Sequence, residues 1–445
     1  MTKTIQTSQP AVEEPFAPRF CFFKGAEDTF SGISDDNFDW NQSAAKSREL
    51  LGDAMNARHL SFLLGSGCSS QLKDGKELGV PTMAPMAKEF LTISTDDSDE
   101  TYPSAKEVES IRTTLGIEIG DGEYTGNLER LMEVLFSAQF ILKRSNIEPL
   151  KGCLEAVDSL ISKITAFICE KCNAVQMSSE VSPVIALYQA FYRRLIFRDR
   201  NLPQPWVFTT NYDLFNEIAL DRLGTAYCNG FSGTVERRFN PASYRYTLAE
   251  QLDISNRKWT SVDGYLYLCK LHGSINWVEQ GNGLFPICQI AGSAQATDRV
   301  MIYPTPTKQN ASFGSPYSDL FREFQARVAR EQSVLVVLGY SFGDEHINNL
   351  IFQALTVPTF RMIAFVSPNM GGVVKKLKAL QDPRVWLIGG DGCQTGRRAH
   401  YFDTFVESFM PEPPGSKVEN AVEKIVTELI GQASRSTQAE TADEK

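Results

Sequence analysis

The run Ser333-Val334-Leu335-Val336-Val337-Leu338 constrains this chain most. It is β-branched and apolar without alternation, has the length of a strand, and ends on Gly339. A strand that shows neither face to water belongs inside a parallel sheet covered on both sides. Other strand-length, mostly apolar runs occur at 60–64, 207–210, 265–271, 362–366 and 385–388. Helix-period stretches separate several of them, one around 373–380. Strands alternating with helices predict an α/β fold with a doubly wound parallel sheet.

The rest of the chain is read around that sheet. Residues 1–45 are expected to be an irregular N-terminal arm, and 46–60 a helix leading into the first strand. Between about 85 and 200, apolar residues recur at helical spacing, as in Leu128, Leu131, Met132 and Leu135. This predicts a helical insertion, with the acidic stretch 95–125 read as a loop. The sheet domain is bounded at 46–410. Beyond it, 411–445 is read as a short amphipathic helix at 418–430 followed by a polar tail.

Bulk properties exclude some functions. A net charge of −10 over 445 residues argues against a chain built to bind nucleic acid or an anionic membrane. No apolar run is long enough to cross a bilayer. Glu13, Glu14 and Pro15 stand where a signal peptide would be apolar, so the expected location is cytoplasmic. Nine scattered cysteines read as reduced thiols. Cys169 and Cys172 form a CxxC, but no second pair exists to complete a zinc site, so no metal is expected.

Four polar or glycine turns follow predicted strands, and ligands bind at carboxyl ends of such strands. The first is Gly65-Ser66-Gly67-Cys68-Ser69, read as strand, glycine turn, then helix, where backbone can approach a phosphate. Taken singly, it reads equally as a tight connection. The second is Thr209-Thr210-Asn211-Tyr212-Asp213, whose Asn and Asp could hydrogen-bond a ribose, a water or an amide, or simply cap the next helix. The third is Leu271-His272-Gly273-Ser274, with a His placed for acid–base work. The fourth is Gly339-Tyr340-Ser341-Phe342-Gly343-Asp344, where Asp344 also reads as a helix cap.

Taken in order, these four turns resemble the sirtuin family, and in particular its bacterial antiphage-defence NADase branch. Gly65–Ser69 looks like the family's GAGxS. Thr210-Asn211-Tyr212-Asp213 looks like QNxD, His272-Gly273 like the catalytic HG, and Gly339-Tyr340-Ser341-Phe342 like GTSx. The resemblance spans about 60–395 and implies a Rossmann-like sheet that takes NAD⁺ as a substrate. It implies that Gly65, Ser66, Gly67 and Ser69 line the pyrophosphate. Asn211, beside Thr210, would hold the nicotinamide ribose and a water, and Asp213 would meet the carboxamide. His272 would be the general base, and Gly339 and Ser341 would bind the adenosine half. Ser367 or Asn369 would contact the adenosine ribose, and Asp391 would border the adenine.

Departures from the deacylating members narrow the expectation. Between His272 and Gly339 there is one cysteine, Cys288, where those enzymes carry a zinc module with two CxxC pairs. Their Pro-Asp-Phe-Arg-like run is replaced by Gly79-Val80-Pro81-Thr82-Met83. The Phe-Gly-Glu strand that binds acyl-lysine is not evident. Asn127-Leu128-Glu129-Arg130 resembles the defence branch. Without an acyl-lysine, water is the default nucleophile, and the reaction expected is NAD⁺ hydrolysis. The competing readings are a deacylase or ADP-ribosyltransferase, and a non-catalytic NAD⁺ or nucleotide sensor. The resemblance also implies a homo-oligomer and a hexameric HerA-like ATPase as partner.

Overall fold

The computed structural model describes residues 19–412, apart from 74–75, 95, 97–99, 175–181, 254–257, 281–285, 292–298, 302–315, 368–370 and 394–395. Asn369 and the expected helix at 418–430 lie outside the described residues.

The protein is built on one large sheet whose strands are Cys21–Lys24 (β1), Glu27–Asp28 (β2), His59–Leu64 (β3), Trp206–Thr209 (β4), Tyr227–Cys228 (β5), Leu266–Lys270 (β6), Ser333–Leu338 (β7), Arg361–Phe365 (β8) and Val385–Gly389 (β9). Their order across the sheet is β2-β1-β9-β8-β7-β3-β4-β6-β5. From β9 to β5 every pairing is parallel, whereas β1 joins β9 antiparallel. The expected arm therefore supplies two edge strands to the sheet.

The continuous apolar runs are explained by two cores, one on each face. Leu60, Phe62, Val207, Val334, Val336, Ile363 and Ile388 enter one core. Their alternates Leu63, Phe208, Leu335, Val337, Met362 and Leu387 enter the other. The period of two along each strand thus feeds both faces. Helices Tyr317–Val328, Glu345–Ala354 and Gly372–Ala379 pack with the second core. Helices Trp40–Met55, Leu128–Leu142, Glu148–Ala174, Pro183–Ile196 and Phe215–Leu223 pack with the first. This is the doubly wound Rossmann-like arrangement, with a helical excursion in the crossover from β3 to β4.

Two local expectations are corrected. No helix follows Gly65–Ser69 directly. A 3₁₀ turn at Ser66–Cys68 runs into an antiparallel hairpin, Ser70–Lys73 with Lys76–Gly79. Asp74-Gly75 stands between those strands in the sequence, and Asp-Gly is a hairpin dipeptide. The stretch 95–125 contains a helix, Ala105–Leu115. Ser104 and Glu107 form a reciprocal capping box at its start, and Gly116 closes it with φ 68°.

Register decides where the site lies. Leu338 pairs with Leu64, Leu64 with Thr209, and Thr209 with Lys270. β7, β3, β4 and β6 therefore end level, so the four turns leave the sheet side by side. The chain steps from β3 to β4 on one side and later returns to β7 on the other. The β3/β7 junction is thus the topological switch point, where open sheets form their ligand crevice.

Candidate functional site

The two glycine turns meet at that junction. Gly65 N–H donates to Leu338 O at 2.9 Å, and Gly67 N–H to Gly339 O at 2.9 Å. A Cβ at Gly67 would lie 2.9 Å from Gly339 Cα, and one at Gly339 would lie 2.6 Å from Cys68 N. Gly339 also has φ 59°, which disfavours a side chain. The glycines here let two backbones touch, and the contact locks β3 to β7. Cys68 is fully enclosed, and burial pushes its thiol well above the ordinary range, which makes it a packing residue.

Ser69 links this turn to the next strand. Its Oγ donates to Asp213 Oδ2 at 2.5 Å and accepts from Asn211 Nδ2 at 2.7 Å. The second Nδ2 hydrogen goes to Gly65 O at 2.9 Å. Asn211 N–H donates to Thr209 Oγ1 at 3.1 Å, so the backbone that carries the amide is fixed as well. With both amide hydrogens spent, the Oδ1 carbonyl faces away from this network. It has no hydrogen-bond partner among the described residues. Asn211 is 6% exposed.

Asp213 is 2% exposed and uses both oxygens, Oδ2 on Ser69 and Oδ1 on Phe215 N–H at 3.1 Å. The turn itself is held from below by Lys270, which is 1% exposed at the end of β6. Its Nζ donates to Tyr212 O at 3.2 Å and to Asp213 O, and lies 3.1 Å from Glu217 Oε1. Burial pushes Glu217 up from the usual carboxylate range, with Lys270 working against it. This support was not anticipated from sequence, although a lysine inside an apolar strand run was a signal for a buried cation with a partner.

His272 follows β6 and is 7% exposed. Its Nε2 lies 3.1 Å from Asp344 Oδ2, a residue that enters from beyond β7, three strands away. Asp344 Oδ1 caps helix Glu345–Ala354. Phe342, within the same turn, has φ 57°, and Asn348 Nδ2 donates to its carbonyl at 2.8 Å. A left-handed phenylalanine costs about 1–2 kcal/mol, and such strain persists only where surrounding bonds over-determine it.

The remaining expected residues line the same edge. Thr210 N–H donates to Leu64 O at 3.1 Å. Ser66 and Ser341 are exposed on the two glycine turns. Ser367 follows β8, and Asp391 follows β9, where it pairs with Arg398. Among the described residues, no hydrogen bond or ion pair joins Ser367 or Asp391 to Asn211 or His272. From β9 to β6 the edge covers five strand intervals, about 24 Å, so it suits an extended ligand.

A recess of about 420 Å³ opens at the opposite, amino-terminal edge, lined by residues 195–200 and 263–266 among others. Its ion pair, Arg200 with Asp263, is exposed. Of the two sheet edges, the carboxyl edge is the one that holds the buried polar side chains Asn211, Asp213, Lys270 and His272. Among the described residues, no group of three or more His, Cys, Asp or Glu could hold a metal ion. No helix there is long and apolar enough to cross a membrane.

Comparison with known proteins adds one finding. No curated protein matches the chain. A family model, the SIR2-like domain, matches residues 205–370. That span holds Asn211, Asp213, His272, Ser341 and Ser367 but not Gly65–Ser69. The fold supplies those, because β3 lies between β4 and β7 and Ser69 bonds directly to Asn211 and Asp213. SIR2-like domains bind NAD⁺, and over 205–370 this chain is similar to them.

Proposed function

We propose that the protein hydrolyses NAD⁺ to nicotinamide and ADP-ribose, with Asn211 and His272 as its catalytic residues. The observation that carries this reading is the Asn211 amide, pinned through both hydrogens so that its Oδ1 is left open at the same sheet edge as His272, which follows the neighbouring strand. Breaking the bond between C1′ and the pyridinium nitrogen leaves the electron pair on nicotinamide and a cationic ribose, as in glycoside hydrolysis. A fixed carbonyl dipole stabilises that cation and aims a water. The water oxygen bonds to C1′, and its proton passes to His272.

The glycine junction would take the pyrophosphate, with Ser66, Ser69 and Thr210 nearby. Asp213 would hold Ser69 and offer its remaining lone pairs to the carboxamide. Gly339 and Ser341 would carry the adenosine half, with Ser367 and Asp391 farther along. The biological role we assign is antiphage defence by cofactor depletion in the cytoplasm. A homo-oligomer with a HerA-like ATPase partner would restrain it. The order of the four turns supports that assignment.

The test is product analysis on the purified protein given NAD⁺, alone and with its partner. Nicotinamide and ADP-ribose are expected in equal amounts, with turnover in Asn211→Ala lower by about 10²–10³-fold. Full activity in both Asn211→Ala and His272→Ala, or nicotinamide release that requires an acyl peptide, would overturn the reading.

A further inference from the structure

We propose that Asp344 is a positioning residue for His272, holding the proton on Nε2 and leaving Nδ1 as the nitrogen that faces the reaction. The proposal rests on the reading of His272 as the base, although its first measurement does not.

The geometry divides the two Asp344 oxygens between two tasks. Oδ1 accepts from His346 N–H at 2.8 Å and Ile347 N–H at 3.2 Å. Oδ2 is turned the other way, 3.1 Å from His272 Nε2, and the two side chains are 8% and 9% exposed. A cap needs one oxygen, so capping alone does not explain the second contact. An ionised carboxylate only accepts, so Nε2 must supply the hydrogen. In neutral imidazole the other nitrogen is then a bare acceptor. Nδ1 has no hydrogen-bond partner among the described residues.

The turn is built to deliver this contact. Left-handed Phe342, tied to Asn348, brings Asp344 back across the edge, and the single Tyr340 hydroxyl hydrogen is shared between Asp344 O at 3.2 Å and Asn348 Oδ1 at 3.3 Å. When Nδ1 takes the proton from water, the ring becomes an imidazolium. Asp344 then opposes that charge across an existing hydrogen bond, while Nε2 keeps its own proton.

Asp344→Asn separates the two tasks. The amide has one oxygen, and the two helix N–H groups claim it. Its NH₂ must then face His272 and donate to Nε2, which forces the ring proton onto Nδ1. Asn caps as well as Asp, so the melting temperature should barely move. Imidazole ¹⁵N NMR should show the protonated nitrogen change from Nε2 in the native protein to Nδ1 in the variant. NAD⁺ turnover should fall by about 10²–10⁴-fold with little change in KM. Asp344→Ala, which loses the cap as well, should melt earlier and serves as the folding control. A native proton on Nδ1, a tautomer unchanged in Asp344→Asn, or a changed tautomer with undiminished turnover would overturn the proposal. If the tautomer changes while the native protein itself lacks turnover, the positioning stands and the hydrolase reading fails.

Discussion

Two buried polar networks in this molecule invite comparison. In the helical insertion, Lys163 Nζ donates to Tyr102 O at 3.1 Å and to both oxygens of Glu107 at 2.9 and 2.8 Å. Ser159 Oγ and Ser104 N–H also donate to Glu107. Burial pushes the Glu107 carboxyl up, and these bonds more than offset it, so it sits below the usual range. Every strong donor there has an acceptor. At the sheet edge the network is as dense, yet Asn211 Oδ1 and His272 Nδ1 have no partner among the described residues. A closed network specifies packing, whereas one that leaves polar atoms open at a sheet edge can offer them to a ligand.

The largest effect that tests this contrast is Lys163→Met. It strands Glu107 against the insertion and should cost about 3–5 kcal/mol in chemical denaturation. NAD⁺ turnover per folded molecule should be unchanged. A loss of turnover matching the loss of stability would erase the distinction between the networks.

A smaller effect is expected at His400. Its Nδ1 is buried without a hydrogen-bond partner among the described residues, but it belongs to neither network. Burial pulls its pKa down to about 4, and nearby Arg398 adds to this. A depressed folded value means stability that is complete above the unfolded value near 6.5 and is lost as pH falls toward 4. His400→Gln should therefore flatten the melting temperature between those limits, removing on the order of 2 kcal/mol of pH dependence. NAD⁺ turnover at pH 7.5 should not change. A large loss of turnover would show that an isolated open nitrogen is enough to mark function.

Ser69→Ala should have the smallest effect. It removes one hydroxyl that bridges Asn211 and Asp213, a net contribution of about 1 kcal/mol. Titration with NAD⁺ should show roughly five-fold weaker binding. No change in binding would mean that Gly65 O alone suffices to orient the Asn211 amide.

Much of the sheet was legible in sequence, because a two-sided strand advertises itself as an unbroken apolar run. β4, β7, β8 and β9 carry that mark, while Ser61 interrupts it in β3 and Lys270 in β6. The order of the four turns was legible for the same reason, since each follows such a run. What escaped was set by pairing between distant segments. The antiparallel edge strand Cys21–Lys24 has no alternation to distinguish it, and the hairpin after Ser69 is short and polar. Helix Ala105–Leu115 did carry its Ser104–Glu107 signal, but the acidic composition around it outweighed that signal. The Asp344–His272 and Ser69–Asn211 bonds depend on which strands end level, and register is not written in either segment alone.

The junction of the two glycine turns also bears on biosynthesis. Cys68 Sγ reaches Leu338 O across 270 residues of chain, and such distant pairings close late because the loop between them must be ordered first. A ribosome adds roughly 5–20 residues each second, so many seconds separate the first turn from the second. During that interval β3 has no β7 beside it, and His272 has no Asp344. The nascent protein is therefore without its assembled edge until Asp344, residue 344 of 445, has been made. Under the proposed function, no copy could turn over NAD⁺ before both turns had emerged and paired.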